Sequence, residues 1–396
     1  MKRLLFMAHR VPYPPDKGER VRAFHEIRAL AGRFRVTVAC LAHNPSDAAA
    51  AAELRRSCDE VLVAPAGGGA GLARAAWSVL AGRSATEGYF RSPRLAGEVA
   101  RAATGAPFDL VLAYCSSMLP HALAVPARVR IADLVDVDSA KWAAYAAQAR
   151  GPRRWLYARE SRGVHALELQ AVARCQAVVL VSRAEADALG ATGGTVIAVA
   201  NGVDTEYFAA SPPPDGGTPA LVFTGTMDYR PNVEAVTWFV RDVWPGLRRS
   251  APAATFTIVG RDPARPVRQL ADVPGVRVTG AVPDVRPYLA AASVALAPLR
   301  TARGIQNKIL EAMAAGRPVV ASSPALEGLD VNVGQEALRA DSPEEWQAAI
   351  LGLAASAPRR LAMGRAARAR VVADYTWDAR MAPLVALCER LAAAGD

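Results

Sequence analysis

Short apolar runs alternate with stretches of helical periodicity along the 396-residue chain. A chain in which short strands alternate with helices of ten or more residues folds as α/β domains on parallel sheets. The runs form two series, and a proline- and glycine-rich loop, Ser211–Pro219, lies between them. The first series is Leu4–Ala8, Val36–Leu41, Val61–Ala64, Leu110–Tyr114, Ile131–Val135, Ala177–Val181 and Val196–Val199. The second is Leu221–Thr224, Phe256–Val259, Val276–Thr279, Val294–Ala297 and Val319–Ala321. The pattern predicts two doubly wound domains, the second beginning near residue 200.

Composition excludes several classes of protein. A content of 52% hydrophobic and 21% charged residues is typical of a globular chain. The sequence contains no run of about 18 apolar residues, so it predicts no transmembrane helix. The five cysteines include no C-x-x-C pair, which indicates a reducing cytoplasm and argues against structural zinc. The five histidines form no H-x-x-x-H pair, so metal catalysis has little support.

The positive charge is concentrated in the first half of the chain. Residues 1–200 contain 26 Lys and Arg against 17 Asp and Glu, whereas residues 201–396 contain 21 against 20. An anionic membrane surface, a lipid diphosphate or nucleic acid would each suit this asymmetry. A basic surface that serves only solubility remains an alternative.

The segment from Arg303 to Ser322, RGIQNKILEAMAAGRPVVAS, predicts a loop, a helix, a sharp stop and a buried strand. Lys308 and Glu311 are three residues apart and therefore share a helix face. A helix N-terminus beside a lysine suits phosphate, and a carboxylate suits the paired hydroxyls of a ribose. An ordinary surface Lys–Glu pair is the alternative interpretation.

The sequence LEAMAAGRPVV resembles the donor-binding segment of retaining GT-B glycosyltransferases of family 4. Relatives usually carry an additional Glu eight residues before Glu311, where this chain has Arg303. The variant G-I-Q-N-K and the pattern G-x-M-x-Y-x-P-N resemble a subgroup associated with exopolysaccharide and exosortase gene clusters. The resemblance implies that Arg303 and Lys308 offer positive charge to the donor diphosphate and that Glu311 binds the ribose. Gly304 belongs to the same donor-binding loop.

The same resemblance extends the donor site to other segments. It places Gly225 and Thr226 beside the diphosphate, and Val282 beside the nucleotide base. Relatives have an Arg at the Thr226 position and a Lys soon after, for which Arg230, Arg303 and Lys308 would substitute here. The motif NGVDxxxF, which begins at Asn201, resembles the family pattern at the crossover between the domains, although a simple turn after a strand explains the same residues.

A loop from Pro14 to Arg20 is predicted at the end of the first strand, where ligands bind in open α/β sheets. The resemblance implies that Lys17, Gly18 and Arg20 contact the donor phosphates or the acceptor there, and the alternative is a turn before an amphipathic helix. The G-x-G-x-x-G signature is absent, which disfavours an NAD-dependent oxidoreductase.

The segment IADLVDVDSAKW places three acids at the end of a predicted buried strand. The resemblance makes Asp136 the first candidate for orienting or deprotonating the acceptor hydroxyl, and Asp138 the second. Asp133 could be structural, and Ser139 could cap the next helix. Asp136 and Asp138 also form a D-x-D pair, but no metal is expected because such short matches are common by chance.

Basic and aromatic side chains alternate between residues 150 and 162. Arg153, Arg154, Trp155 and Tyr157 are predicted to contact an anionic membrane surface. A helix that packs its aromatic residues inward is the alternative, and no nucleic-acid-binding signature accompanies the segment.

The resemblance implies an α/β GT-B fold in which two Rossmann-like doubly wound domains face each other across a cleft. We expect an acceptor-binding domain at 1–200, a donor-binding domain at 201–375, and a C-terminal helix, 376–396, returning to the first domain. The implied activity is retaining, metal-independent transfer from a nucleotide-diphosphate sugar, without a cofactor. The implied acceptor is a lipid-linked glycan of exopolysaccharide synthesis, at the inner face of the membrane. Alternatives are a nucleotide-sugar 2-epimerase of GT-B fold and a non-catalytic membrane scaffold.

Overall fold

A computed structural model describes residues 1–15, 18–190, 193–212, 214, 216–302 and 305–394. The chain divides into two compact units. Unit 1 comprises Met1–Ala200 and Met381–Asp396, and unit 2 comprises Asn201–Arg380. No helix in the described ranges is both long enough and apolar enough to cross a membrane.

Unit 1 is built on a seven-stranded sheet. Its strands are β1 (Arg3–Ala8), β2 (Arg35–Ala42), β3 (Glu60–Pro65), β4 (Phe108–Tyr114), β5 (Ala127–Val135), β6 (Ala177–Leu180) and β7 (Val196–Ala198). Its helices are α1 (Gly18–Ala31), α2 (Ser46–Leu54), α3 (Gly68–Leu80), α4 (Ala85–Phe90), α5 (Pro93–Ala103), α6 (Leu119–Ala124), α7 (Asp138–Gln148), α8 (Pro152–Arg174) and α9 (Arg183–Leu189). A 3₁₀ turn, Ser116–Met118, follows β4.

The strands of unit 1 are parallel and lie in the order β3-β2-β1-β4-β5-β6-β7. The order reverses between β1 and β4, so a crevice opens there at the carboxyl ends of the strands. Helices on both faces cover β1 and β4, and their apolar residues are almost fully buried.

Unit 2 repeats this architecture with a six-stranded sheet. Its strands are β8 (Ala220–Thr224), β9 (Thr255–Val259), β10 (Val276–Val278), β11 (Val294–Ala297), β12 (Val319–Ala321) and β13 (Leu338–Arg339). Its helices are α10 (Arg230–Trp238), α11 (Trp244–Ser250), α12 (Arg265–Gln269), α13 (Arg286–Ala291), α14 (Asn307–Ala314), α15 (Ser323–Leu326), α16 (Pro343–Ala354) and α17 (Ala357–Asp374). A π-helical segment, Phe239–Val243, joins α10 to α11, and a 3₁₀ turn, Leu270–Asp272, follows α12. The last helix, α18 (Trp377–Ala393), begins in unit 2, and its residues from Met381 onwards belong to unit 1.

The sheet of unit 2 is also parallel, in the order β10-β9-β8-β11-β12-β13, and reverses between β8 and β11. The prediction of two doubly wound α/β domains is confirmed, because each apolar run of the sequence coincides with a strand. β13 was not predicted, since its two residues form no apolar run. The predicted loop to Arg20 is wrong, because α1 already begins at Gly18.

Candidate functional site

The turn after β8 lies at the switch point of unit 2. Gly225 follows the last residue of β8 with φ +156°, and Gly260 follows β9 with φ +158°. A Cβ on Gly260 would collide with the Gly225 carbonyl oxygen, and one on Gly225 would lie 2.7 Å from the Asn232 amide nitrogen. Only glycine therefore allows these two strand ends and α10 to approach this closely.

Lys308 is held over this turn by a short chain of hydrogen bonds. Its ammonium donates to Asn232 Oδ1 at 2.6 Å, and Asn232 Nδ2 donates to the Thr226 carbonyl at 2.9 Å. The same ammonium lies 4.6 Å from the centroid of the Phe223 ring, in cation–π geometry. A lysine from α14 is thus fixed beside the backbone of the glycine turn after β8.

Burial shifts the ionisation of the predicted pair on α14. It lowers the pKa of Lys308 to about 8, although the neighbouring Glu311 carboxylate opposes the shift. It raises the pKa of Glu311 to about 7, and the Lys308 ammonium partly offsets this. The Glu311 carboxylate makes no hydrogen bond or ion pair with any described residue. A desolvated acceptor without a partner is suited to receive hydroxyl groups of a ligand.

The N-terminus of α14 lies at the same place. Its N-cap residue is Gln306, whose side chain accepts no hydrogen bond from the first backbone N–H groups of the helix. Asn201 Nδ2 donates to Oδ1 of Asn307, the first residue of the helix, at 3.4 Å. The positive end of the helix dipole and Lys308 together make this an environment for an anion.

Other predicted donor residues have different surroundings. Arg230 is exposed at the start of α10, where its guanidinium pairs with Glu234 at 2.6 Å. Val282 is half-buried in the loop after β10. Arg303 and Gly304 lie outside the described residues.

Asn232 was missed as a site residue. Asparagine is a common N-cap residue, but α10 begins at Arg230, and Tyr229 is its N-cap. Asn232 is instead buried inside the helix, and its amide joins the Thr226 carbonyl to Lys308. A buried amide needs partners, but only the fold shows that they come from elsewhere in the chain.

In unit 1 the loop after β5 is anchored by three buried carboxylates, which accept from alternate backbone N–H groups. Val135 N–H donates to Asp133 at 2.8 Å, Val137 N–H to Glu185 at 2.7 Å and Ser139 N–H to Glu168 at 3.0 Å. Val135 has φ +66°, a costly conformation for a β-branched residue. The carboxylates therefore stabilise a strained loop. Ser139 lies within α7, where it packs against Glu168 of α8, and it is not the N-cap of α7.

Asp133 also anchors a buried ion cluster. Arg22 Nη2 lies 2.6 Å from Asp133 Oδ2, and Arg22 Nε lies 2.7 Å from Glu26 Oε1. Arg22 further donates to the Val199 carbonyl at 2.7 Å. Burial and the negative charge of Asp133 raise the pKa of Glu26 well above its usual range. Asp133 is therefore structural in this fold, and the pairing keeps one arginine charge compensated in the core.

Asp136 and Asp138 differ in their surroundings. Asp138 pairs with Lys141 at 2.7 Å, whereas the Asp136 carboxylate makes no hydrogen bond or ion pair with the described residues. Desolvation, together with the neighbouring Glu185 and Asp138 carboxylates, raises the pKa of Asp136 to about 6, although solvent reaches the side chain. Asp136 is thus available to a ligand, with a pKa suited to accept a proton near neutral pH. In the described ranges, no group of three or more His, Cys, Asp and Glu is arranged to hold a metal ion.

The predicted phosphate loop looks different in the structure. Lys17 lies outside the described residues, and Gly18 is the first residue of α1. Arg20 is buried, and its guanidinium approaches Asp47 to 3.5 Å, so its charge is directed towards the protein.

His9, which follows β1 at the switch point of unit 1, was not predicted. It is 9% exposed, and its Nδ1 atom has no partner among the described residues. Its ring stacks on Tyr114 at 6.2 Å, and burial lowers its pKa to about 4. The imidazole is therefore neutral at physiological pH. Its position directly after the first predicted strand was the available signal.

Three of the predicted membrane-contact residues, Arg153, Arg154 and Trp155, are exposed in the first turn of α8. Tyr157 is half-buried, and its ring lies 5.6 Å from that of Trp142 on α7. Tyr157 therefore belongs to an aromatic cluster between the two helices.

The comparisons with known proteins agree with this fold. Residues 218–356, less than half of the chain, match the family model described as glycosyl transferases group 1. No curated protein matches the chain. A sucrose-phosphate synthase from Thermosynechococcus elongatus has a similar structure, with a TM-score of 0.74 and 16% identity over 100% of both chains.

Two further structures are similar along nearly the whole chain. HepE from Anabaena, solved in complex with UDP, has a TM-score of 0.68 and 15% identity, over 98% of this chain and 100% of its own. WaaG, a glycosyltransferase involved in lipopolysaccharide biosynthesis, has a TM-score of 0.61 and 17% identity, over 97% and 98%. The fold is therefore that of GT-B glycosyltransferases, with two Rossmann-like domains.

Proposed function

We propose that this chain is a glycosyltransferase that takes a sugar from a nucleotide-diphosphate donor bound in unit 2. The observation that carries the proposal is the position of Lys308, whose ammonium is fixed by Asn232 beside the glycine turn after β8. The match of residues 218–356 to group 1 glycosyl transferases supports it, because this range contains the same elements.

The donor would be held by groups of complementary charge. Lys308 and the N-terminus of α14 would face the diphosphate, where Arg230 would add positive charge, as the family resemblance also implies for Arg303. Glu311 would accept hydrogen bonds from the ribose hydroxyls, since its carboxylate has no other partner in the described chain. HepE binds UDP in its structure, which supports a nucleotide as the ligand class.

The reaction would form a bond between the acceptor oxygen and the anomeric carbon, while the bond from that carbon to the diphosphate breaks. The diphosphate leaves with the bonding electrons, stabilised by Lys308 and the helix dipole without a metal ion. The proton of the acceptor hydroxyl passes to Asp136 of unit 1. Attack on the face from which the diphosphate leaves would retain the anomeric configuration, and it would not require a carboxylate nucleophile that forms a covalent intermediate.

We further propose that the acceptor is a lipid-linked glycan of exopolysaccharide synthesis, at the cytoplasmic face of a membrane. The subgroup motifs G-I-Q-N-K and G-x-M-x-Y-x-P-N support this role. The excess of basic residues in the first half of the chain and the exposed Arg153, Arg154 and Trp155 support contact with an anionic membrane.

Thermal unfolding against a panel of UDP-, GDP-, ADP- and dTDP-sugars tests the donor site. A ligand at about 100 times its dissociation constant stabilises the native state by about 2.7 kcal/mol. We expect one nucleotide class to raise the melting temperature of the wild type and to have a much smaller effect on Glu311→Gln. Glu344→Gln, an exposed change on α16, is the matched control and should respond like the wild type.

An equal response of Glu311→Gln and wild type would refute the donor site at α14. Absence of any nucleotide response, with retained membrane binding, would instead indicate a non-catalytic scaffold. If a responding donor is consumed without any acceptor and yields an epimeric sugar, the chain is a 2-epimerase.

A further inference from the structure

A cavity of about 390 Å³ lies in unit 1 between α4, α6 and α8, and its lining shares no residue with the candidate site. This volume falls in the range of about 300–1,000 Å³ that is typical of small-molecule sites. Its charged lining residues are four arginines and one glutamate: Arg83, Arg159, Arg162, Arg174 and Glu87. The cavity therefore carries a net positive charge.

The arginines of the cavity are only partly neutralised. Arg83 pairs with Glu87 at 3.1 Å, and Arg159 donates to the Val79 carbonyl at the end of α3. Arg162 and Arg174 make no hydrogen bond or ion pair with the residues that the structure describes. Two guanidinium groups thus line a concave site without pairing with a carboxylate of the described residues, which is an arrangement that suits phosphate.

Large apolar side chains are exposed next to this cavity. On α3, Trp77 is 73% exposed and Leu80 is 80% exposed, and on α8, Trp155 is 58% exposed. Arg159 connects the two features, because it lines the cavity, bonds to Val79 beside Leu80 and lies 5.7 Å from the Trp155 ring centroid. We call Trp77, Leu80, Trp155 and Leu156 the apolar rim.

We propose that the cavity binds the phosphate of an anionic lipid headgroup while the apolar rim inserts into the lipid surface. Aromatic and aliphatic side chains beside arginines are the composition of interfacial membrane-binding segments. A free phosphate ion would suit the arginines but would leave the rim without a partner. The proposal rests on the membrane contact in the proposed function and does not depend on the donor site.

Vesicle sedimentation with phosphatidylcholine, with and without phosphatidylglycerol, tests the proposal. The wild type should bind only the anionic vesicles, and increasing salt should weaken this binding. Arg162→Gln with Arg174→Gln should lose about 25-fold in affinity, at about fivefold for each arginine near an anionic surface. Arg55→Gln with Arg94→Gln removes the same charge from exposed positions of unit 1 and is the matched control.

A second pair of variants separates a lipid from a soluble phosphate. Trp77→Ser with Leu80→Ser should lose vesicle binding but keep binding of glycerol 3-phosphate, measured by calorimetry, whereas the arginine variant should lose both. Since both pairs are exposed, unfolding midpoints should stay near that of the wild type.

Equal vesicle binding by the arginine variant and its control would overturn the proposal. Binding of glycerol 3-phosphate without any binding of anionic vesicles would also overturn it and would indicate a soluble phosphate ligand. Stronger binding of single-stranded RNA than of anionic vesicles would overturn it as well. The arginine variant should keep the wild-type melting response to donor nucleotides, so failure here is distinguishable from failure of the donor site.

Discussion

The ammonium of Lys308 lies 2.6 Å from the side-chain oxygen of Asn232, although the two residues are 76 positions apart in the sequence. Asn232 is buried on α10 and Lys308 is in the first turn of α14. The contact fixes a cation beside the glycine turn at the switch point of unit 2. Asn232 therefore positions Lys308, and in the proposed donor site it would act on the donor through that lysine.

Replacing Asn232 with Ala should weaken donor binding about tenfold, because a hydrogen bond to a charged group contributes about 1.5 kcal/mol. Isothermal titration with the responding nucleotide sugar measures this loss. Asn232→Asp keeps the shape and the contact with Lys308, but it neutralises the ammonium and loses the donor to the Thr226 carbonyl, so it should also weaken donor binding. Unchanged affinity in both variants would contradict the positioning role.

Donor affinity should have a maximum between about pH 7 and pH 8. Below about pH 7 Glu311 gains a proton, since burial raises its pKa to about 7, and the neutral acid accepts ribose hydroxyls less well. Above about pH 8 Lys308 loses its proton, since burial lowers its pKa to about 8, and attraction to the diphosphate is lost. Dissociation constants measured across this range check both limbs. Glu311→Gln should lose the acidic limb and keep the basic one.

Asp136→Asn should lower turnover by about 100- to 10,000-fold, which is the usual contribution of a general base. Donor affinity should stay unchanged, because the donor groups belong to unit 2. In the wild type, turnover should fall below about pH 6, where Asp136 becomes protonated. A loss of donor affinity equal to the loss of turnover would contradict this assignment. Lys141→Gln removes the partner of Asp138 and tests whether that acid contributes.

Asp133→Asn should destabilise the fold by about 3–5 kcal/mol, because it leaves the buried Arg22 charge without its main partner. Urea unfolding followed by circular dichroism measures the change. Arg56→Gln breaks an exposed pair with Glu53 in the same unit and should cost less than about 1 kcal/mol. Similar losses in the two variants would show that the buried cluster contributes no more than a surface pair.

Much of the fold follows from local sequence. Apolar runs of three or more residues specify the buried parallel strands, and β13 was missed because it has only two residues. The segment around Glu311 was also predicted correctly, with α14 at Asn307–Ala314, a left-handed Gly316 at φ +72° and β12 at Val319–Ala321. These features depend on periodicity, on glycine at the helix end and on the following proline.

The sequence by itself determined the two parallel sheets and placed Lys308 and Glu311 on one helix face, because these depend on residues close together in the chain. Only the tertiary structure decided which groups surround them. It brought Asn232 to Lys308, and it brought the carboxylates of Glu168 and Glu185 to the backbone of the loop that carries Asp136. Such contacts join residues far apart in sequence, and their partners are set by strand order and helix packing, which no local pattern encodes.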